Sequence, residues 1–214
     1  MNQHDLPNEP QDSRDAPEAR PKMSYRKALL VAALLNFVMM FLEVGGALYA
    51  NSIALMADAI DFLEDSITYV LAIALIGLGH RPRAVFGFLT AFLMFVPGVW
   101  IGWKTIEQLF YGLPPDPVPM GAVGLLALAV NLYCAFILLP HRKGDSAHQG
   151  VWLSTRNDAI ANIAIVLAAI ATAFSGTVWP DVIVGLGIAV LNLYAALLIA
   201  LLAGKEWQGK VNAT

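Results

Sequence analysis

Charge is scarce in this sequence. Asp, Glu, Lys and Arg together make up 14% of the residues against 58% hydrophobic ones, where soluble domains carry about 25% charged residues. That shortage excludes an ordinary soluble globule. Cysteine is nearly missing as well: Cys134 stands alone inside an apolar run, which excludes an internal disulfide and argues against a thiolate metal site. None of the four histidines, His4, His80, His141 and His148, lies inside an apolar run, so they read as solvated tail and loop residues. The net charge of −3 gives no reason to expect a nucleic-acid partner.

Apolar sequence is what the chain has in length. Six runs, 28–50, 53–77, 84–110, 119–139, 151–174 and 182–203, each reach the roughly 20 residues that a helix rising about 1.5 Å per residue needs to cross a hydrocarbon core about 30 Å thick. The expected fold is an all-α integral membrane protein of six transmembrane helices in the lipid bilayer, a multi-pass protein of a bacterial inner (plasma) membrane. Residues 1–25 mix Asp, Glu, Pro, Asn and Gln with few apolar side chains and read as a disordered tail. Residues 26–204 form the six-helix transmembrane domain, and 205–214 a second short tail. A signal peptide is the competing reading of the first run. That run is longer than a signal h-region, however, and lacks a convincing small-residue cleavage site before Asn51.

Basic residues set the expected orientation, because cytoplasmic loops keep an excess of Lys and Arg near span ends. Arg14, Arg20, Lys22, Arg26 and Lys27 precede the first run, Arg81 and Arg83 follow the second, Arg142 and Lys143 follow the fourth, and Lys205 and Lys210 follow the sixth. The three opposite loops, around Asn51, 113–118 and 175–180, contain neither Lys nor Arg. Both termini are therefore expected on the cytoplasmic side.

Function should lie where the membrane holds charges it could have avoided, since an ionisable side chain near the bilayer centre costs at least about 2.5 to 3.5 kcal/mol to insert. The second run is the outlier, with Asp58, Asp61, Glu64 and Asp65 close together. Spacings of three and four place Asp58, Asp61 and Asp65 along one stripe that must face protein or water. In the fifth run Ser154, Asp158 and Asn162 are four apart and share a face. At about 1.5 Å per residue, Asp61 and Asp65 lie roughly 12 to 18 Å below the outer surface and Asp158 roughly 11 Å above the inner one, near one mid-membrane level.

Three ionised carboxylates repel one another in a low-dielectric pocket unless protons or a counter-cation intervene. A divalent cation satisfies them, and protons can replace it when it leaves, which suggests metal-for-proton exchange. The rival reading makes these acids structural, hydrogen-bonding helices together or balancing Lys104 and Arg156. Arg156 can snorkel to the inner surface, and Glu64 lies at a comparable height, which suggests an ion pair tying the two site helices together. Lys104 and Glu107 read as anchors at the outer interface. Asp58, nearer the outside than Asp61, reads either as a guide for the departing ion or as a packing residue.

The stretch 51–66, NSIALMADAIDFLEDS, resembles the second helix of the cation diffusion facilitator (cation efflux) family, in which Ala-Asp-Ala leads into a His-or-Asp, three residues, Asp signature. Asp61 and Asp65 occupy the two ligand positions of that signature, and Asp158 matches the second ligand of the fifth-helix His, three residues, Asp pattern. Trp179, Pro180 and Asp181 before the last run are similar to the family's approach to helix six, with Glu43, Gly45, Gly46 and Asn131 as less specific matches. The resemblance implies efflux of divalent metal in exchange for protons, a homodimer, and one metal site per protomer between helices two and five.

Two departures stand out. Ser154 occupies the position where the family usually has histidine, so the expected site is Asp61, Asp65 and Asp158 with Ser154, and Asn157 or Asn162 as a further oxygen ligand. Zinc comes first by resemblance, while an oxygen-only set tilts toward Mn²⁺ or Fe²⁺, with Co²⁺ and Cd²⁺ also in view. The metal is cargo, and no resident cofactor is expected. The sequence also ends soon after the sixth run, which reads as a short form without the family's C-terminal cytoplasmic domain, leaving dimerisation to the helices. Two other functions compete. An intramembrane enzyme would use the aspartates for catalysis, but the Gly and Arg positions of phospholipid alcohol transferases and the Gly-x-Gly-Asp element of membrane aspartyl proteases are missing. An uncoupled cation channel would move metal without protons.

Overall fold

In the computed structural model, residues 23–74, 80–141 and 146–208 are described, without the side chains of 80–83, 146–154 and 206. Six α-helices are present among these residues: α1 (Tyr25–Ala50), α2 (Ile53–Ala74), α3 (His80–Tyr111), α4 (Pro117–Leu138), α5 (Ser146–Ser175) and α6 (Trp179–Trp207), with a 3₁₀ turn at Leu139–His141 after α4. The tail segment 1–22 lies outside the described residues.

Several helices run past the apolar stretches that announce them. α3 begins at His80, α5 at Ser146, and α6 continues to Trp207, because hydropathy registers only the part of a helix that lies in hydrocarbon, while the hydrogen-bond ladder continues into polar sequence. Among the described residues five helices contain a stretch long and apolar enough to cross a membrane, and α2 does not. Its four acids disqualify it on composition.

Local chemistry fixes the turns on one end of the bundle. Asn51 ends α1 in the left-handed region at φ 55°, a conformation that Asn tolerates better than other side chains with a Cβ. Ser52 then starts α2, its Oγ accepting from the Leu55 N–H at 3.2 Å, as an N-cap does. Asp116 caps α4 by accepting from the Val118 N–H at 3.0 Å, with Pro117 at the first helical position, where a missing N–H costs nothing.

Packing makes α2 the hub. It touches all five other helices, while the most intimate pairs are α3 with α6, α1 with α2, and α4 with α5. The contacts are made by small side chains: Ala47, Ala50, Ala54, Ala57, Ala168, Ala169 and Ala189 are buried in one cluster with Ile101, Met120 and Ile165. Small residues let helix backbones approach where lipid supplies no hydrophobic drive. Two glycines serve the same end. A Cβ on Gly46 of α1 would meet Val123 of α4 at 2.7 Å, and one on Gly185 of α6 would meet Ile53 of α2 at 2.8 Å. Large apolar side chains such as Leu34, Phe41, Phe92, Leu167 and Leu191 point outward and are exposed.

Candidate metal centre

The polar interior starts from α2. One turn of helix takes 3.6 residues, about 100° per residue, so Asp65 lies within about 20° of Asp58 around the axis, whereas Asp61 is displaced by about 60°. The sequence reading of a single stripe is thus too coarse. Asp61 turns to α6, where the Asn192 side-chain amide donates to its Oδ1. Asp58, fully buried, turns to α1 and α5: its Oδ1 accepts from Asn162 Nδ2 at 3.4 Å, and its carboxyl meets that of Glu43. Asp65 faces α5, accepting from the Tyr69 hydroxyl at 2.6 Å. Tyr69 in turn bonds Thr155 Oγ1 at 2.6 Å.

Asp158 of α5 interacts electrostatically with Asp65, Asp61 and Asp58, most strongly with Asp65, and its Oδ2 is buried without a hydrogen-bond partner among the described residues. The structure therefore brings Asp158 to the α2 acids, as the spacing of the two helices predicts. Asn162 also arrives, but beside Asp58: its Nδ2 is shared between Asp58 and the Asp158 carbonyl at 2.9 Å. Asn157 does not arrive. It is exposed and accepts from Arg156 at 3.2 Å, since it lies about 100° around the helix from Asp158. The Ser154 side chain lies outside the described residues.

Carboxyl-to-carboxyl approaches dominate this interior, Glu43 with Asp58 and Asp65 with Asp158. Such a contact is repulsive while both groups are ionised, and becomes attractive only with a proton or a cation between them. Among the described residues no group of three or more His, Cys, Asp or Glu stands close enough to hold a metal ion. The acids are strung along α2 and its neighbours as pairs.

The suggested Glu64–Arg156 ion pair is not formed. Arg156 is exposed beside Asn157, and Glu64 is buried with its Oε1 unpartnered, because Arg156 sits on the outward face of α5 next to the inward Thr155. Lys104 and Glu107 do pair, at 2.7 Å on an exposed part of α3.

Four residues of this interior escape a reading by spacing alone: Glu43, Asn192, Tyr69 and Thr155. Glu43 and Asn192 are polar side chains within otherwise apolar runs, the signal by which they stand out. Tyr69 and Thr155 carry no such mark.

Asp181, at the start of α6 and fully buried, has a different job. Its carboxylate accepts from the Ser52 hydroxyl at 2.5 Å, the Ile53 N–H at 2.8 Å, the Ala54 N–H at 3.1 Å and Gln108 Nε2 at 2.9 Å. It caps the N-terminus of α2 from another helix, satisfying donors that a helix start leaves unpaired. Asp181, Gly185, Ile188 and Asn192 follow at spacings of four, three and four and form the face of α6 that holds α2.

A helical bundle apolar outside and acidic within is the build of a multi-pass membrane protein. Residues 29–205 match the model of the cation efflux transmembrane domain, and the chain belongs to that family. It is a multi-pass protein of the plasma membrane. It is 27% identical over 188 residues to a cadmium, cobalt and zinc/H(+)-K(+) antiporter of Bacillus velezensis, covering 79% of this chain and 59% of that protein. It is 25% identical over 167 residues to the metal cation efflux system protein CzcD of Cupriavidus metallidurans, covering 72% and 53%. It is 27% identical over 189 residues to the zinc transporter ZitB of Yersinia pestis, covering 81% and 60%. The chain thus spans 53% to 60% of the length of these relatives.

Proposed function

We propose that this chain exports a divalent metal cation from the cytoplasm in exchange for protons, through mid-membrane carboxylates between α2 and α5. Asp61, Asp65 and Asp158 are the proposed ligands, with Ser154 at the position of the missing histidine and Asn162 close by on the Asp58 side. All six helices span the bilayer in this reading, both tails lie in the cytoplasm, and two copies form a homodimer through their helices.

One observation carries it. The interior holds Asp58, Asp61, Asp65 and Asp158 near enough to feel one another's charge, whereas the ion pair found among the described residues, Lys104–Glu107, lies at the surface. Acids gathered in this way need a cation or protons to neutralise them. Relatives named as zinc, cadmium and cobalt antiporters or transporters support metal as that cation and zinc as the first choice. Tyr69 and Thr155 join α2 to α5 one turn from Asp65, on the side that this reading makes cytoplasmic.

Everted vesicles containing the full chain and a pH-sensitive dye test this. Zn²⁺, Mn²⁺, Co²⁺, Fe²⁺ and Cd²⁺ are offered in parallel, and metal uptake with proton release is expected, strongest for Zn²⁺. Metal flux without proton movement would make the protein a channel, and no flux of any of the metals would refute the reading.

A further inference from the structure

We infer that Glu43 of α1, Asp58 of α2 and Asn162 of α5 form a second cation-binding station, which takes the divalent metal on its way out. It lies toward the α1–α2 turn from the Asp65–Asp158 pair. Asp58 precedes Asp65 by seven residues, a rise of about 10 Å along the helix, so the two stations are separate places along one path.

Glu43 is the single acid of α1 and is fully buried. Neither of its carboxyl oxygens has a hydrogen-bond partner among the described residues, and the same holds for Asp58 Oδ2 and Asn162 Oδ1. Burying an unpartnered polar group costs on the order of 1 to 3 kcal/mol, and a charged one more. Four such oxygens from three helices, with Glu43 and Asp58 in carboxyl contact, require an explanation.

Two explanations can be weighed by counting. A proton shared between Glu43 and Asp58 makes one O–H···O bond, which satisfies two of the four oxygens and leaves the other two orphaned. A divalent cation between the carboxylates balances both negative charges and can take all four oxygens as ligands, the number a zinc site uses and a part of the larger oxygen shells of manganese. Asn162 is already oriented for this. Its Nδ2 is engaged by Asp58 Oδ1 and the Asp158 carbonyl, so its Oδ1 is the atom left to coordinate.

The inference rests on the reading of the chain as a metal carrier, and metal stoichiometry separates the two. Equilibrium binding of Mn²⁺ to the purified full chain, followed by the electron paramagnetic resonance of the free ion, should give two ions per chain in the wild type and one in Glu43→Gln. Glu43→Asp should keep two, which excludes misfolding as the cause of the loss, and Asp158→Ala should keep the ion that Glu43→Gln loses. In transport, Glu43→Gln should lower the maximal rate about tenfold with little change in half-saturating metal, since the loading site is untouched. Two ions bound to Glu43→Gln would show the pair to be proton-bonded and structural. A single wild-type ion removed by Asp158→Ala would overturn the second station and leave the transport reading standing, whereas no ion bound by the wild type would overturn both.

Discussion

Removing the Asp181 carboxylate is the most direct test of how α2 is held in place. Asp181→Ala deletes the acceptor for two backbone N–H groups, the Ser52 hydroxyl and the Gln108 amide. A lost helix cap costs about 0.5 to 2 kcal/mol, and hydrogen bonds to a charged acceptor about 1.5 to 3 kcal/mol each before overlap is considered. The four share one acceptor, and Ser52 still caps the Leu55 N–H on its own. We therefore expect a loss of about 2 to 4 kcal/mol in total. For a chain of this size that corresponds to a midpoint lowered by roughly 5 to 15 °C. The assay is the fraction of detergent-solubilised protein that still elutes as a monodisperse peak after heating. Asp181→Asn keeps one carbonyl acceptor but turns an N–H₂ toward other donors, so its midpoint should fall between those of Asp181→Ala and wild type. A midpoint for Asp181→Ala within about 1 °C of wild type, well below the shift estimated for even one lost kcal/mol, would show that the contacts carry no net stability.

Four further outcomes are expected. Asp158→Ala should reduce metal transport to background while the protein still inserts, whereas Ser154→Ala, which removes a neutral hydroxyl, should keep a substantial fraction; equal losses in vesicle uptake would make the serine a ligand of equal weight. Ser154→His should raise the ratio of Zn²⁺ to Mn²⁺ uptake, because imidazole suits zinc better, and an unchanged ratio would place residue 154 off the metal. Tags at Met1 and Thr214 should be shielded in intact cells and a label near Pro115 accessible, and the reverse pattern would invert the direction of transport. Gly185→Ala should cost about 1 to 3 kcal/mol by overpacking, read as a lower thermal midpoint, because its Cβ would press on Ile53 and the Ala54 backbone.

Much of this architecture is legible in the sequence because a membrane makes sequence literal. Each apolar run became a helix, and the acids of α2 marked the interior. The limits are equally physical. Three-and-four spacing says that Asp58, Asp61 and Asp65 share a side of α2, but a 60° offset, about two-thirds of one residue's turn, is enough to give Asp61 to α6 and its neighbours to α5. Which helix stands there depends on tertiary packing, so Asn192 was not assignable beforehand. Likewise the suggested Glu64–Arg156 pair rested on depth alone, and depth says nothing about azimuth. Asp181 stands out in the sequence by its resemblance to a family pattern, while its work as a cap on another helix depends on Gly185 admitting α2 four residues later.

The cap that Asp181 provides has a bearing on how the chain is made. The residue lies 128 positions downstream of the Ile53 N–H it receives, so at about 5 to 20 residues per second the ribosome needs on the order of 6 to 25 s to supply it after α2 has emerged. During that interval the most acidic helix of the protein stands at the membrane with the start of its backbone ladder incompletely satisfied and without the Asn192 amide for Asp61. α6 is therefore the helix that completes α2. A nascent chain arrested before α6 should hold α2 loosely enough to be extracted or degraded, which makes the arrival of α6 the checkpoint for this bundle.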